Sequence, residues 1–208
     1  MYDFADVQTN ATIAPGTNIL VTGPPLTGKR RLALDVLAQG ADRGDGSIIV
    51  TTKDNADTMR SGFRDRIQTS DPPVGIVDCV SSQQQASVPE DDSQVSYVSS
   101  PVDMTGIGIT VSEFLQEFYQ NRGLTENRVM LHSISTLLMY SDLETVFRFL
   151  HVFTGRIQSA DGLGIYLIDS AAHDEQTVNT LKQLFDGVVE VSAEDDTETA
   201  VTTSGLAL

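Results

Sequence analysis

The sequence predicts a three-layer α/β sandwich, with a mainly parallel central sheet, helices on both faces and an antiparallel C-terminal edge. Three observations carry this prediction. Apolar, β-branched runs at 18–21, 47–52, 74–80, 128–134, 163–169 and 188–191 have the composition of strands buried on both faces. Helical patterns separate most of these runs, and parallel neighbours need such crossovers, which are almost always right-handed. At 208 residues and 40% hydrophobic content, the chain suits one domain with a core of ordinary size.

In chain order, 2–15 reads as a polar lead-in, and Pro15-Gly16 is a turn signal handing over to a strand at 17–22. The helix after it carries Leu32, Ala33, Val36 and Leu37 on one face and stops at Gly40. After the strand at 47–52, Asp54 is expected to cap the next helix, and Pro72-Pro73 precedes the strand at 74–80. The stretch 81–96, with Gln83-Gln84-Gln85, Pro89 and Glu90-Asp91-Asp92, reads as a surface loop too polar to pack. An irregular connection with one short extended piece is expected over 97–109.

Thr110-Val111-Ser112-Glu113 matches a capping box, and Phe114, Leu115, Phe118 and Tyr119 recur at helical spacing until Gly123. The run 128–134 reads as the fourth strand. Ser141-Asp142-Leu143-Glu144 then caps a long helix with Leu143, Val146, Phe147, Leu150 and Ile157 inward. After the strand at 163–169, a helix from Asp174 groups Val178, Leu181 and Phe185 and ends at Asp186-Gly187. The last strand, 188–191, is followed by an acidic turn at 194–196 and a return at 199–206 as the antiparallel edge. No repeat or linker divides the chain, so one domain is expected over 1–208, with its core at about 12–192.

In a sheet of this kind, ligands bind at the carboxyl ends of the strands. There the first strand runs into Gly23-Pro24-Pro25-Leu26-Thr27-Gly28-Lys29-Arg30. The spacing of Gly23, Gly28 and Lys29 is that of a phosphate-cradling loop, except that the final Ser or Thr is replaced by Arg30. Chance supplies two glycines and a lysine at this spacing about 0.02 times in a chain of this composition. Backbone amides and the positive end of the following helix hold phosphates in such loops, and the lysine reaches their outer oxygens. Arg30 cannot coordinate magnesium, because a guanidinium is a permanently charged donor, but it can neutralise a phosphate directly.

The loop, the segment Ile48-Ile49-Val50-Thr51-Thr52-Lys53-Asp54 and the segment Arg128-Val129-Met130-Leu131-His132-Ser133 together resemble the RecA superfamily of P-loop proteins, in its archaeal KaiC-like branch. The resemblance spans about residues 12–192, and only its first motif is specific. It implies ATP as ligand, with Gly23, Pro24, Pro25, Leu26, Thr27, Gly28, Lys29 and Arg30 lining the phosphates. It places Lys53 and Asp54 where the family has adjacent acids, one of which activates water, leaving Asp54 as the catalytic candidate. It places His132 where the family has a magnesium-ordering aspartate. The family arrangement sets Asp169 beside the loop strand, as a spare carboxylate near the phosphates. With Arg30, Lys53 and His132 altered, nucleotide binding with weak or absent hydrolysis is expected, in a regulatory or signalling role. The alternative is a non-catalytic assembly module that has lost the ligand, and homo- or hetero-oligomers with RecA-like relatives are implied partners.

His132 has no second His or Cys at ligand spacing, so no metal site is assigned, and His151 and His173 read as ordinary surface or interhelix residues. A net charge of −16, with three lysines and ten arginines against 29 acids, repels phosphate backbones, and no basic patch for nucleic acid is evident. Lysine-poor, acid-rich surfaces resemble those of halophile proteins. The lone Cys79 reads as buried, and excludes a disulfide framework. Neither a basic leader nor an apolar run of about 18 residues occurs, so a soluble, cytoplasmic protein without membrane contact is expected.

Overall fold

A computed structural model describes residues 2–3, 12–84, 92–194 and 198–205. Much of the lead-in, the stretch 85–91 of the predicted loop and most of the acidic turn lie outside those residues. Two short strands, β1 (Tyr2–Asp3) and β2 (Thr12–Ile13), pair antiparallel. Eight more build one sheet: β3 (Asn18–Gly23), β4 (Gly46–Thr51), β5 (Val74–Asp78), β6 (Val95–Tyr97), β7 (Asn127–His132), β8 (Leu163–Asp169), β9 (Gly187–Glu194) and β10 (Glu198–Ser204).

Their order is β10-β9-β3-β8-β7-β4-β5-β6. Every neighbouring pair runs parallel except β9 and β10, which form the expected antiparallel edge. The loop strand β3 lies between β8 and β9, well inside the sheet.

Successive strand residues point to opposite faces, so each parallel strand feeds two cores. Ile19, Val21, Ile49, Met130 and Ile165 pack under α1 (Lys29–Ala41) and α2 (Ala56–Arg64). Leu20, Ile48, Val50, Leu131 and Ile168 pack under α3 (Met104–Arg122), α4 (Ile134–Tyr140), α5 (Leu143–Ser159) and α6 (Glu175–Lys182). Burying each such aliphatic side chain contributes about 1.5–3 kcal/mol, which makes the sheet a rigid platform for its strand ends. Cys79 is buried as expected, and burial, with the nearby Asp78 charge, pushes its thiol up to about 12.

Several predicted boundaries move. Asn55, not Asp54, caps α2, accepting from the Thr58 amide, because Asp54 is drawn to Arg30. The expected irregular connection over 97–109 contains the first turns of α3, capped by Asp103 through the Gly106 amide. Helix wins there because Ile107 and Val111 bury in the core on the α3–α6 face, and the apparent capping box at Thr110 lies inside the helix. The loop predicted over 81–96 includes a short 3-10 turn, Ser81–Gln84, and Val95 enters β6 against β5. The strand predicted over 128–134 stops at His132, and Ile134 opens α4, with Ser133 as its cap.

The polar lead-in also carries structure. Tyr2 is fully buried, donating to the Asp161 carbonyl at 2.8 Å and accepting from the Asn127 amide at 2.9 Å. Beside it, Arg128 pairs with Asp45 at 3.0 Å, at the end of the sheet opposite the loop.

Candidate functional site

The loop begins where β3 ends. Gly23 presses against β9 so closely that an added Cβ would lie 2.0 Å from the Val191 carbonyl oxygen, so only glycine fits. Pro24 and Pro25 lack amide protons, which leaves the donors of the cradle to the residues from Leu26 onward. Leu26 holds a left-handed backbone with φ 66° and a fully exposed side chain, a conformation costing a non-glycine residue roughly 1 kcal/mol. Thr27 closes the turn by donating from Oγ1 to the Pro24 carbonyl at 2.9 Å.

Gly28, with φ 90°, then caps α1 without any side-chain hydrogen bond. The first bond inside the helix runs from the Leu32 amide to the Gly28 carbonyl at 2.9 Å. The amides before it project from the positive end of the helix, as anion binding requires.

Lys29 is 6% exposed and its ammonium turns back over the loop. Its three protons meet three acceptors: the Gly23 carbonyl at 2.8 Å, the Pro24 carbonyl, and Asp169 Oδ1 at 2.9 Å. Asp169 is in register with Gly23 at the end of β8, beside the loop strand as the resemblance implied, and this brings it to the lysine. Arg30 reaches across the mouth, with Nη1 2.8 Å from Asp54 Oδ2. Thr51 holds the Asp54 backbone in place, accepting its amide at 3.2 Å and donating to its carbonyl.

His132 lies at the end of β7, 3.7 Å by Nδ1 from the same Asp54 oxygen. Burial pushes its pKa down to about 4, against the pull of Asp54 and with the help of Arg30 and Lys53. The ring is therefore neutral at pH 7, so this contact is not an ion pair, and Nδ1 is buried without a hydrogen-bond partner.

Hydroxyls that the sequence reading did not single out complete the site. Thr52 Oγ1 accepts from the Ser133 amide at 2.8 Å and donates to its carbonyl at 3.0 Å, tying β4 to β7. Ser135 Oγ accepts the Asp169 amide at 2.9 Å and contacts the half-buried His173 Nε2 at 2.9 Å, so His173 packs against α4. The Thr51-Thr52 pair at a strand end was the one visible signal for this set. Beside these groups opens a cleft of about 480 Å³, lined by Thr52, Lys53, Ser133, Ser135, Asp169 and His173 among others.

The magnesium that the resemblance implies does not fit this donor set. Arg30 only donates, His132 offers a neutral nitrogen to a cation that prefers oxygen, and Asp54 and Asp169 already pair with cations. Among the described residues no group of three His, Cys, Asp or Glu side chains could hold a metal. What the arrangement can do is hold an anion: uncapped amides, a left-handed glycine and the cations Lys29 and Arg30 gather where β3 passes into α1.

Strand order and layering are those of a RecA-like α/β fold. Residues 16–191 match the model of a family of unknown function (DUF7504), and the chain belongs to that family. No curated protein matches it in sequence. Among solved structures it is similar to a KaiC-like protein from the hyperthermophilic archaeon Pyrococcus horikoshii, with TM-score 0.60 at 13% identity, covering 93% of this chain and 80% of that one. It is also similar to an uncharacterized protein from Pyrococcus horikoshii in complex with an unknown peptide, with TM-score 0.67 at 13% identity, covering 93% and 84%. At such identity these likenesses establish the fold. No helix among the described residues is long and apolar enough to cross a membrane.

Proposed function

We propose that this protein binds a nucleotide, ATP, through the loop from Gly23 to Arg30, hydrolyses it slowly or not at all, and serves a regulatory or signalling role. The observation that carries the proposal is that the loop lysine already holds an anion, the Asp169 carboxylate, while the amide end of α1 carries no side-chain cap. A phosphate makes the same contact and adds bonds to the amides. Weak turnover follows from the groups around it. Asp54, the candidate for activating water, is committed to Arg30, and His132 stands where an aspartate would order the metal water. Losing one such group commonly costs about 10²–10⁴ in rate.

One observation favours a second reading, a non-catalytic assembly module. Both cations of the loop are satisfied internally, while Leu26, Met139 and Tyr140 stand exposed around the same strand ends. A RecA-like relative or a second copy is the implied partner, and one structural neighbour was solved with a peptide.

Calorimetric titration with ATP, paired with a phosphate-release assay, separates the readings. Nucleotide binding that Lys29→Ala abolishes, with phosphate release equal in wild type and variant, supports the first. Absence of binding at millimolar ATP supports the second, and fast release that depends on Lys29 shows an active ATPase.

A further inference from the structure

Resting on the phosphate-binding proposal, we infer that this cleft takes its ligand as a metal-free polyphosphate anion, with Arg30 supplying the positive charge that magnesium supplies in related sites.

Four side chains argue for this. Arg30 follows Lys29 at the position where a hydroxyl would ligate the metal, and its guanidinium is a permanent cation that only donates. It already reaches Asp54 beyond the end of β4, at 2.8 Å. His132 faces the same carboxylate from β7, with Nδ1 buried and unpartnered, and presents nitrogen where a hard cation requires oxygen. Asp54 and Asp169, whose oxygens could serve a cation, are each held at under 3 Å by Arg30 and Lys29.

With Lys53 on the cleft, Lys29, Arg30 and Lys53 outnumber Asp54 and Asp169 at these strand ends, a local excess of positive charge that favours an anion over a divalent metal. An uncomplexed phosphate exchanges for the two carboxylates, accepting from Lys29 and Arg30 as these release Asp169 and Asp54. A magnesium nucleotide would bring its metal against Arg30, and the oxygens of Asp54 and Asp169 would reach that metal only after leaving their own cations.

The test is calorimetric titration of the wild-type protein with ATP at fixed ionic strength, once with excess EDTA and once with excess magnesium chloride. The inference requires a Kd at least about tenfold lower in EDTA. Equal affinity, or tighter binding with magnesium held by the released carboxylates, overturns it and leaves the phosphate-binding proposal standing. No binding in either arm overturns both. The double variant Arg30→Thr, His132→Asp restores the oxygen ligands and is expected to reverse the preference by a similar factor. A folded double variant that still prefers EDTA overturns the assignment to these two residues.

Discussion

Lys29 Nζ and Asp169 Oδ1 meet at 2.9 Å across the ends of two adjacent parallel strands, where Gly23 and Asp169 are paired in register. The lysine of the loop therefore has an internal anion as its resting partner. Any phosphate must displace it, and the measured affinity is the difference between the two contacts. Asp169→Asn keeps the shape of the side chain and removes its charge. Calorimetry is expected to show ATP binding about tenfold tighter in this variant than in wild type. Unchanged or weaker binding would mean that the carboxylate does not compete.

The close approach of Gly23 to β9 makes a stability prediction that needs no ligand. With a backbone oxygen 2.0 Å from the added Cβ, no side-chain rotation can relieve Gly23→Ala. Urea unfolding should show a loss of about 3 kcal/mol or more. Gly155→Ala, in the C-terminal half of α5 with open space around it, is expected to gain about 0.5–1 kcal/mol instead. Equal effects at the two positions contradict the packing described for the loop.

His132 gives a pH dependence with a defined sign. Its folded pKa of about 4 lies below the ordinary value of 6.5, because burial disfavours the charged ring. Between those values the unfolded chain binds a proton that the folded chain does not, so stability falls as pH falls through the window. The loss from pH 7 to pH 4.5 is about 2–3 kcal/mol. His132→Gln should remove that part of the loss. Denaturant midpoints that fall equally in both proteins would contradict it.

Charge sets a further expectation. At −16 over 208 residues the folded chain repels itself, and salt screens that repulsion. The melting temperature is expected to rise from about 0.1 M to about 2 M potassium chloride. A flat or falling profile would show that the acidic surface carries no such penalty.

The legible parts of this fold were those with strong local signals. The strand-loop-helix unit at 18–41, the strand at 163–169 and the antiparallel return all follow from pattern and turn chemistry. The start of α3 was hidden because Gly106 and Gly108 look like loop residues, although buried Ile107 and Val111 draw them into the helix. The helix α4 was hidden because the apolar run of β7 passes into Ile134 with no glycine or proline to mark the turn. At the site, Asp169, Arg30 and Asp54 were each legible singly. The pairing of Arg30 with Asp54, and of Ser135 with His173, depends on which strand ends adjoin, and local sequence does not encode that.

The central claim, that the loop at Gly23–Lys29 is a phosphate cradle, is tested most directly by melting wild type and Lys29→Ala with and without millimolar ATP. At about 100 times its dissociation constant the ligand adds about 2.7 kcal/mol, so the wild-type transition should rise clearly while the variant stays where it was. No rise in wild type, or an equal rise in both proteins, would contradict the account.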